Sequence, residues 1–246
     1  MEKDKENEGV LKKGDLTSGP VMSSMLRFAV PMILGNLLQQ CYNVADTLIV
    51  GQFLGANALA AVGSAYTLMT FITSIMLGLS MGSGALFSIR FGERDYDRMK
   101  ESMTASFVLI AGICIVLNVL VFLLIDQILW FLRVPDEVWD LMRKYLVVIF
   151  YGIIATFLYN YFASLLRAIG DSRTPLIFLA ISAVLNIVLD LWFVVGLERG
   201  VAGAAEATVI SQYVSGVGLM AFTWFRKKEL RPEKRHLRVT RGCLSE

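Results

Sequence analysis

From Phe107 to Ile125 the chain runs nineteen residues without a charge, and Asn118 is the only strongly polar side chain among them. About 20 residues of helix, rising about 1.5 Å each, cross a hydrocarbon core, so this run has the length of a bilayer. Five similar segments surround it. The pattern predicts helices over 27–52, 57–87, 103–125, 138–165, 175–197 and 202–225. Backbone in lipid must satisfy its own hydrogen bonds, and spans of this length without strict alternation are helices rather than barrel strands. The expected fold class is an all-α polytopic membrane protein. Composition agrees: 56% of residues are hydrophobic, 18% are charged, and the charges fall in blocks between the apolar runs.

Basic residues orient the spans. With the N-terminus inside, nineteen Lys and Arg fall on the inner side, eight of them in the tail from Arg226 to Arg241. Outside fall only Arg133, Arg143, Lys144 and Arg199. That bias predicts six spans with both termini cytoplasmic. The division is a cytoplasmic segment over 1–24, a six-helix lobe over 25–226 and a basic cytoplasmic tail over 227–246. A basic cluster beside a membrane has the simple role of holding the chain against anionic lipid, so nucleic acid is not an expected partner. The first apolar run is too long for a signal-peptide core and reads as an uncleaved span. Cys41, Cys114 and Cys243 make no disulfide framework.

Two carboxylates stand out against this background. Asp46 and Asp190 lie well inside apolar segments, where a charge at a helix centre costs roughly 2.5–3.5 kcal/mol on insertion scales. At about 100° per residue, Asn36, Gln39, Gln40, Asn43, Asp46 and Thr47 share one face of the first helix. Ser182, Asn186 and Asp190 repeat every four residues on the fifth, and Thr208, Ser211, Gln212 and Ser215 line the sixth. Ser, Thr, Asn and Gln commonly serve as interhelical glue in membranes, at around 0.6 kcal/mol each. The carboxylates ask for more. Counting from each span's midpoint, Asp46, Asp190 and Thr208 share a depth roughly 6–9 Å toward the outside. Gln39, Asn43, Asn186 and Asn160 lie deeper, so a polar column could lead inward. Two acids in one dry pocket repel, and a proton held by one of them relieves that repulsion. Oxygen ligands from Asp46, Asp190 and Asn186 could equally hold a sodium ion.

At these residues the chain resembles the multidrug and toxic compound extrusion (MATE) transporter family. The resemblance is carried by Pro31-Met32-Ile33-Leu34 through Tyr42-Asn43-Val44-Ala45-Asp46-Thr47 with Gly51 following, by Leu166-Arg167-Ala168-Ile169-Gly170-Asp171-Ser172-Arg173-Thr174-Pro175, and by Asn186-Ile187-Val188-Leu189-Asp190. Gly200-Val201-Ala202-Gly203-Ala204-Ala205 with Ala207-Thr208 and Ser211-Gln212 completes it, over about Leu16 to Phe225. The resemblance implies a cation-coupled antiporter of the plasma membrane, driven by protons or sodium, that exports amphipathic organic cations and drugs. It implies no cofactor beyond the coupling ion. Its ion site maps onto Asp46, Gln39, Asn186, Asp190, Thr208 and Asn160.

The resemblance also implies a partner. Family members have two six-helix lobes related by an axis along the membrane normal, so this chain reads as one lobe of a twelve-helix transporter, a fragment or truncated reading frame needing a second lobe. The alternatives are a lipid-linked saccharide flippase of the same superfamily, which calls for a cationic cavity, and a non-transporting remnant or scaffold. Leu191 stands where a proline often follows the acid, so a kink in the fifth helix is expected to be lost. Glu206 reads equally as interfacial or functional. Gly78-Leu79-Ser80-Met81-Gly82 fits the G-x-S-x-G pattern of hydrolases, but it lies inside a span and the only histidine is His236 in the tail. An enzyme is not expected. Glycines there, with Gly51 and Gly55, are expected to let helices approach closely.

Overall fold

The computed structural model describes residues 21–227 and 230–231. Most of the expected flanking segments, 1–20 and the greater part of the tail with His236 and Cys243, lies outside the described residues. The elements are α1 (Val21–Leu54), α2 (Ala56–Gly92), α3 (Tyr96–Phe131), α4 (Asp136–Phe150), α5 (Ile153–Ala168), α6 (Arg173–Asp190) and α7 (Gly200–Arg226). A six-residue π-helical turn, Leu191–Gly196, prolongs α6. Helices α4 and α5 form one bent span with a 46° break. The result is six helical rods, one lobe of a polytopic membrane protein.

By length and composition, α2, α3 and α6 with its π turn are apolar enough to cross a membrane, and the α4–α5 pair makes a fourth span. Rods α1 and α7 carry the polar stripes, which lower their apolarity. Outward-facing positions such as Phe71, Val108, Leu123 and Val184 are more than half exposed. So continuous an apolar surface suits lipid and not water. Inside, Met76, Phe87, Leu129, Met142 and Leu165 are fully buried in the main core.

Short connections set the order of the rods. Gly55, at φ 85, makes the turn from α1 to α2, a conformation that L side chains rarely adopt. Arg94 turns the chain at φ 61, and Asp95 then caps α3 by accepting from the Arg98 amide at 3.1 Å. Helix α4 starts after Pro135 with Asp136 and Glu137 in its first turn, where carboxylates meet the positive end of the helix dipole. Asp171 accepts from both the Thr174 amide, at 3.0 Å, and its hydroxyl, at 2.8 Å, which starts α6.

The break in the fourth span contains no proline. Tyr151 and Gly152 interrupt the helix, and other spans take up the carbonyls this exposes. Asn118 of α3 donates to the Phe150 carbonyl at 2.8 Å, and Tyr213 of α7 donates to that of Tyr151 at 3.0 Å. The one strong polar group of the most apolar span therefore serves a backbone that bends away from helical bonding.

Helix contacts correct one expectation. A Cβ added at Gly78, Gly82 or Gly55 would meet nothing within 4 Å, so these glycines do not mediate close approach. Gly78 and Gly82 face outward on α2, away from its partner. Close approach falls instead at Gly216, where a Cβ would stand 2.5 Å from the Ala155 carbonyl oxygen, and at Gly152, where it would run into Gln212 Oε1. Gly51 does meet Leu59, at 3.3 Å. Ser80 of the hydrolase-like pattern is wholly buried in mid-helix.

Replacing Gly216 with Ala forces α5 and α7 apart and is expected to cost about 1–3 kcal/mol, whereas Gly78→Ala should be neutral or slightly stabilising. Thermal melts of detergent-purified protein check the contrast, and an equal effect at both positions would contradict this packing.

Candidate functional site: a buried acid pair

Helices α1 and α6 pack side by side, and this contact creates the site. Asp190 is the last α-helical residue of α6 and has no exposed surface. From α1, Asp46 reaches the same spot, and the two carboxyls stand within range of a mutual hydrogen bond. Yet both Asp190 oxygens and Asp46 Oδ1 are buried without a donor. The two facts fit together chemically, because an ionised carboxylate only accepts, so the pair can bond only when one member carries a proton. With both ionised, the remaining solution is a cation between them.

The backbone changes character at this point. Helical bonding switches from α to π at Leu191, so the rod is irregular immediately after the acid even though no proline is present. What changes at Leu191 is the bonding pattern, while Arg173–Gly196 runs on as one span. A π turn places one extra residue in the turn, which re-aims the side chains that follow it, and such turns are frequent at functional sites.

One turn before Asp190, Asn186 donates to the Thr208 hydroxyl on α7 at 3.3 Å. Its own Oδ1 is buried and unpaired. Ser182, a further turn back, donates to the Ser211 carbonyl at 2.8 Å. Beside these contacts lies a small cavity of about 10 Å³ lined by Tyr42, Ser182, Ala183, Asn186, Thr208, Ser211 and Gln212. That is room for about one water-sized guest. Ser211 Oγ and Gln212 Oε1 add two more buried oxygens without a partner.

Of the six residues expected from sequence, four come together here: Asp46, Asp190, Asn186 and Thr208. Gln39 and Asn160 do not join them. Gln39 is exposed on α1 and meets the Tyr42 hydroxyl, while Asn160 turns its amide back to the Thr156 carbonyl of its own helix at 2.8 Å. Asn43 donates along α1 to Gln40 Oε1 at 3.3 Å. Tyr145 is the residue that sequence reasoning missed. It is buried on α4, close enough to feel the charge of both acids. A tyrosine in an apolar helix reads as core, and only the tertiary placement of α4 reveals it.

The MatE family profile matches residues 31–192, which spans both acids. The chain belongs to the MATE family. A probable multidrug resistance protein, YpnP, of Bacillus subtilis is 36% identical over 205 residues, covering 83% of this chain and 46% of that protein. The multidrug export protein MepA of Staphylococcus saprophyticus is 30% identical over 218 residues, covering 85% and 46%. Among solved structures, a MOP superfamily transporter from Pyrococcus furiosus superposes with TM-score 0.87 at 28% identity, covering 94% of this chain and 52% of that one. That protein is described as having a binding pocket of reverse polarity that suggests a different function. The chain spans about half the length of the curated MATE relatives it matches.

An amide at either acid would supply a permanent donor and remove a buried charge. Asp190→Asn is expected to stabilise this MATE lobe by about 1–2 kcal/mol, raising its melting point by roughly 2–8 °C. A clear fall in melting temperature would show that the native pair stabilises the fold and is not held at its expense.

Proposed function

We propose that this lobe supplies the cation-coupling site of an antiporter that exports amphipathic organic cations and drugs. The observation that carries the reading is the acid pair: two carboxyls from different spans, Asp190 wholly buried and Asp46 half-buried, with three of their four oxygens buried without a donor and further unpaired oxygens nearby. Such an arrangement holds poorly without a small cation. A proton shared between Asp46 and Asp190 satisfies it. Sodium satisfies it too, since Asp46, Asp190 and Asn186 are all hard oxygen donors of the kind that this ion takes.

Coupling follows from electrostatics. Loading the pair removes the repulsion between α1 and α6, so the two helices pack differently when the site is filled and when it is empty. An ion moves a conformational equilibrium only by its difference in affinity for the two states, and a site whose ligands sit on separate helices provides that difference. Drug affinity then changes because α1 and α6 also border the route of the exported compound. A route between two lobes needs a second six-helix lobe, in keeping with relatives about twice as long. The lobe over 25–226 sits in the plasma membrane between cytoplasmic ends, and the bilayer is its constant partner. A lipid-linked saccharide flippase calls for a cationic cavity, and paired acids at this depth argue against it.

Expression with a matching second lobe in a drug-hypersensitive host is expected to confer resistance. Asp46→Asn and Asp190→Asn should each lower it by about tenfold, the loss of roughly 1.4 kcal/mol or more of coupling. Mutants that export as well as the parent would remove the coupling role. In vesicles, the imposed gradient that drives uptake, sodium or pH, names the ion.

A further inference from the structure

One face of α7 is an apolar stripe with no helix packed over it. Ile210, Val214, Val217, Trp224 and Phe225 are exposed at helical spacing, so the stripe runs about 20 Å down the rod to its last turn. Half of a hydrocarbon core is about 15 Å thick, and the stripe spans more than that. It ends at a cation. Beyond the helix, Arg231 folds back so that its Nε donates to the Trp224 carbonyl at 2.6 Å, and its guanidinium carbon stands 5.4 Å from the centre of the Trp224 ring.

The fold builds this return of the chain. The Lys227 amide donates to the Thr223 carbonyl at 3.0 Å and the Leu230 amide to the Lys227 carbonyl at 3.0 Å, which turns the backbone and leads Leu230 into the main core, where it is buried. The charges here are sorted. Lys227 meets Asp171 at 3.8 Å, whereas among the described residues neither Arg226 nor Arg231 has an acidic partner. Arg226 is exposed on the same last turn as Trp224. Arg231 spends its Nε donor on the carbonyl, which complements the negative end of the α7 dipole and leaves the N–H groups of both Nη atoms for another acceptor. Capping needs only the Nε bond, while the indole beneath fixes the plane of the fork.

We propose that Arg231, held on Trp224, binds the phosphate of an anionic phospholipid whose acyl chain lies along the α7 stripe. A planar guanidinium offers phosphate two parallel charge-assisted bonds, and one already fixed by a ring and a carbonyl loses little freedom when it does so. Tryptophan settles where headgroups meet hydrocarbon, which sets Arg231 at phosphate level. Arg226 adds charge of the same sign, so phosphatidylglycerol, with a net negative headgroup, is favoured over phosphatidylethanolamine, which brings its own ammonium. The site stands apart from whatever Asp46 and Asp190 take up.

Native mass spectrometry of the detergent-purified full chain reads the preference directly, with phosphatidylglycerol and phosphatidylethanolamine of identical acyl chains added in equal amounts. Phosphatidylglycerol is expected to be retained about tenfold better, the scale of one charge-assisted fork. Arg231→Gln should abolish the preference. Arg231→Lys, which keeps the charge without the fork, and Trp224→Leu, which keeps the stripe without the ring, should each lower it by about threefold. Arg98→Gln removes an equal charge from an exposed position at the same end of the lobe and should leave the preference as in the parent. Equal retention of the two lipids overturns the site, as does a preference that survives Arg231→Gln or falls as far in Arg98→Gln. Parental values in both Arg231→Lys and Trp224→Leu overturn the fork held on the indole. Loss of the bound phosphatidylglycerol to excess inorganic phosphate overturns the lipid in favour of a free anion.

Discussion

Two carboxyls that must share a dry space organise this lobe. Asp46 and Asp190 come from helices that meet along much of their length, and both Asp190 oxygens and Asp46 Oδ1 are buried without a donor from the protein. Apolar groups or an amide there would pack at lower cost. The fold instead keeps two carboxyls side by side and surrounds them with neutral oxygens and a buried tyrosine, the arrangement on which the proposed cation site rests. A structure that leaves its strongest electrostatic demand unmet is poised to respond when the demand is met.

Elsewhere in the lobe several backbone irregularities do find partners. Where the fourth span breaks, Asn118 and Tyr213 take up the carbonyls of Phe150 and Tyr151. Where α6 begins, Asp171 serves the Thr174 amide and hydroxyl, and Lys227 adds a charge contact at 3.8 Å. Ser182 ties α6 to α7 through a backbone carbonyl. Lipid offers no hydrogen bonds, so each irregularity inside the membrane requires an internal partner.

Much of this was legible in the sequence, for identifiable reasons. The spans follow from uncharged runs of bilayer length, and the facing of Asp46, Asn186, Asp190 and Thr208 follows from helical periodicity together with a common depth. Other features were not readable. Periodicity gives a face but not its neighbour, which is why Asn160, bonded to its own helix, and exposed Gln39 could not be told from residues that converge. Glycines show the same limit: Gly78 and Gly82 look like a packing motif, but Gly216 and Gly152 are the ones pressed against another helix. The π turn after Asp190 had no signal, because Leu191 is an ordinary residue in a conformation imposed by its surroundings.

The bend at Tyr151 and Gly152 is held by side chains of α3 and α7 and by no covalent ring. A proline kink belongs to its own helix and persists wherever that helix goes. This one exists only while three separate rods keep their mutual register, so it is a property of the assembly. If α7 slides or rotates, the Tyr151 carbonyl loses its partner, and regular helical bonding becomes its nearest substitute. The fourth span is thus able to straighten in step with its neighbours, carrying Tyr145 on its moving half toward or away from the acids.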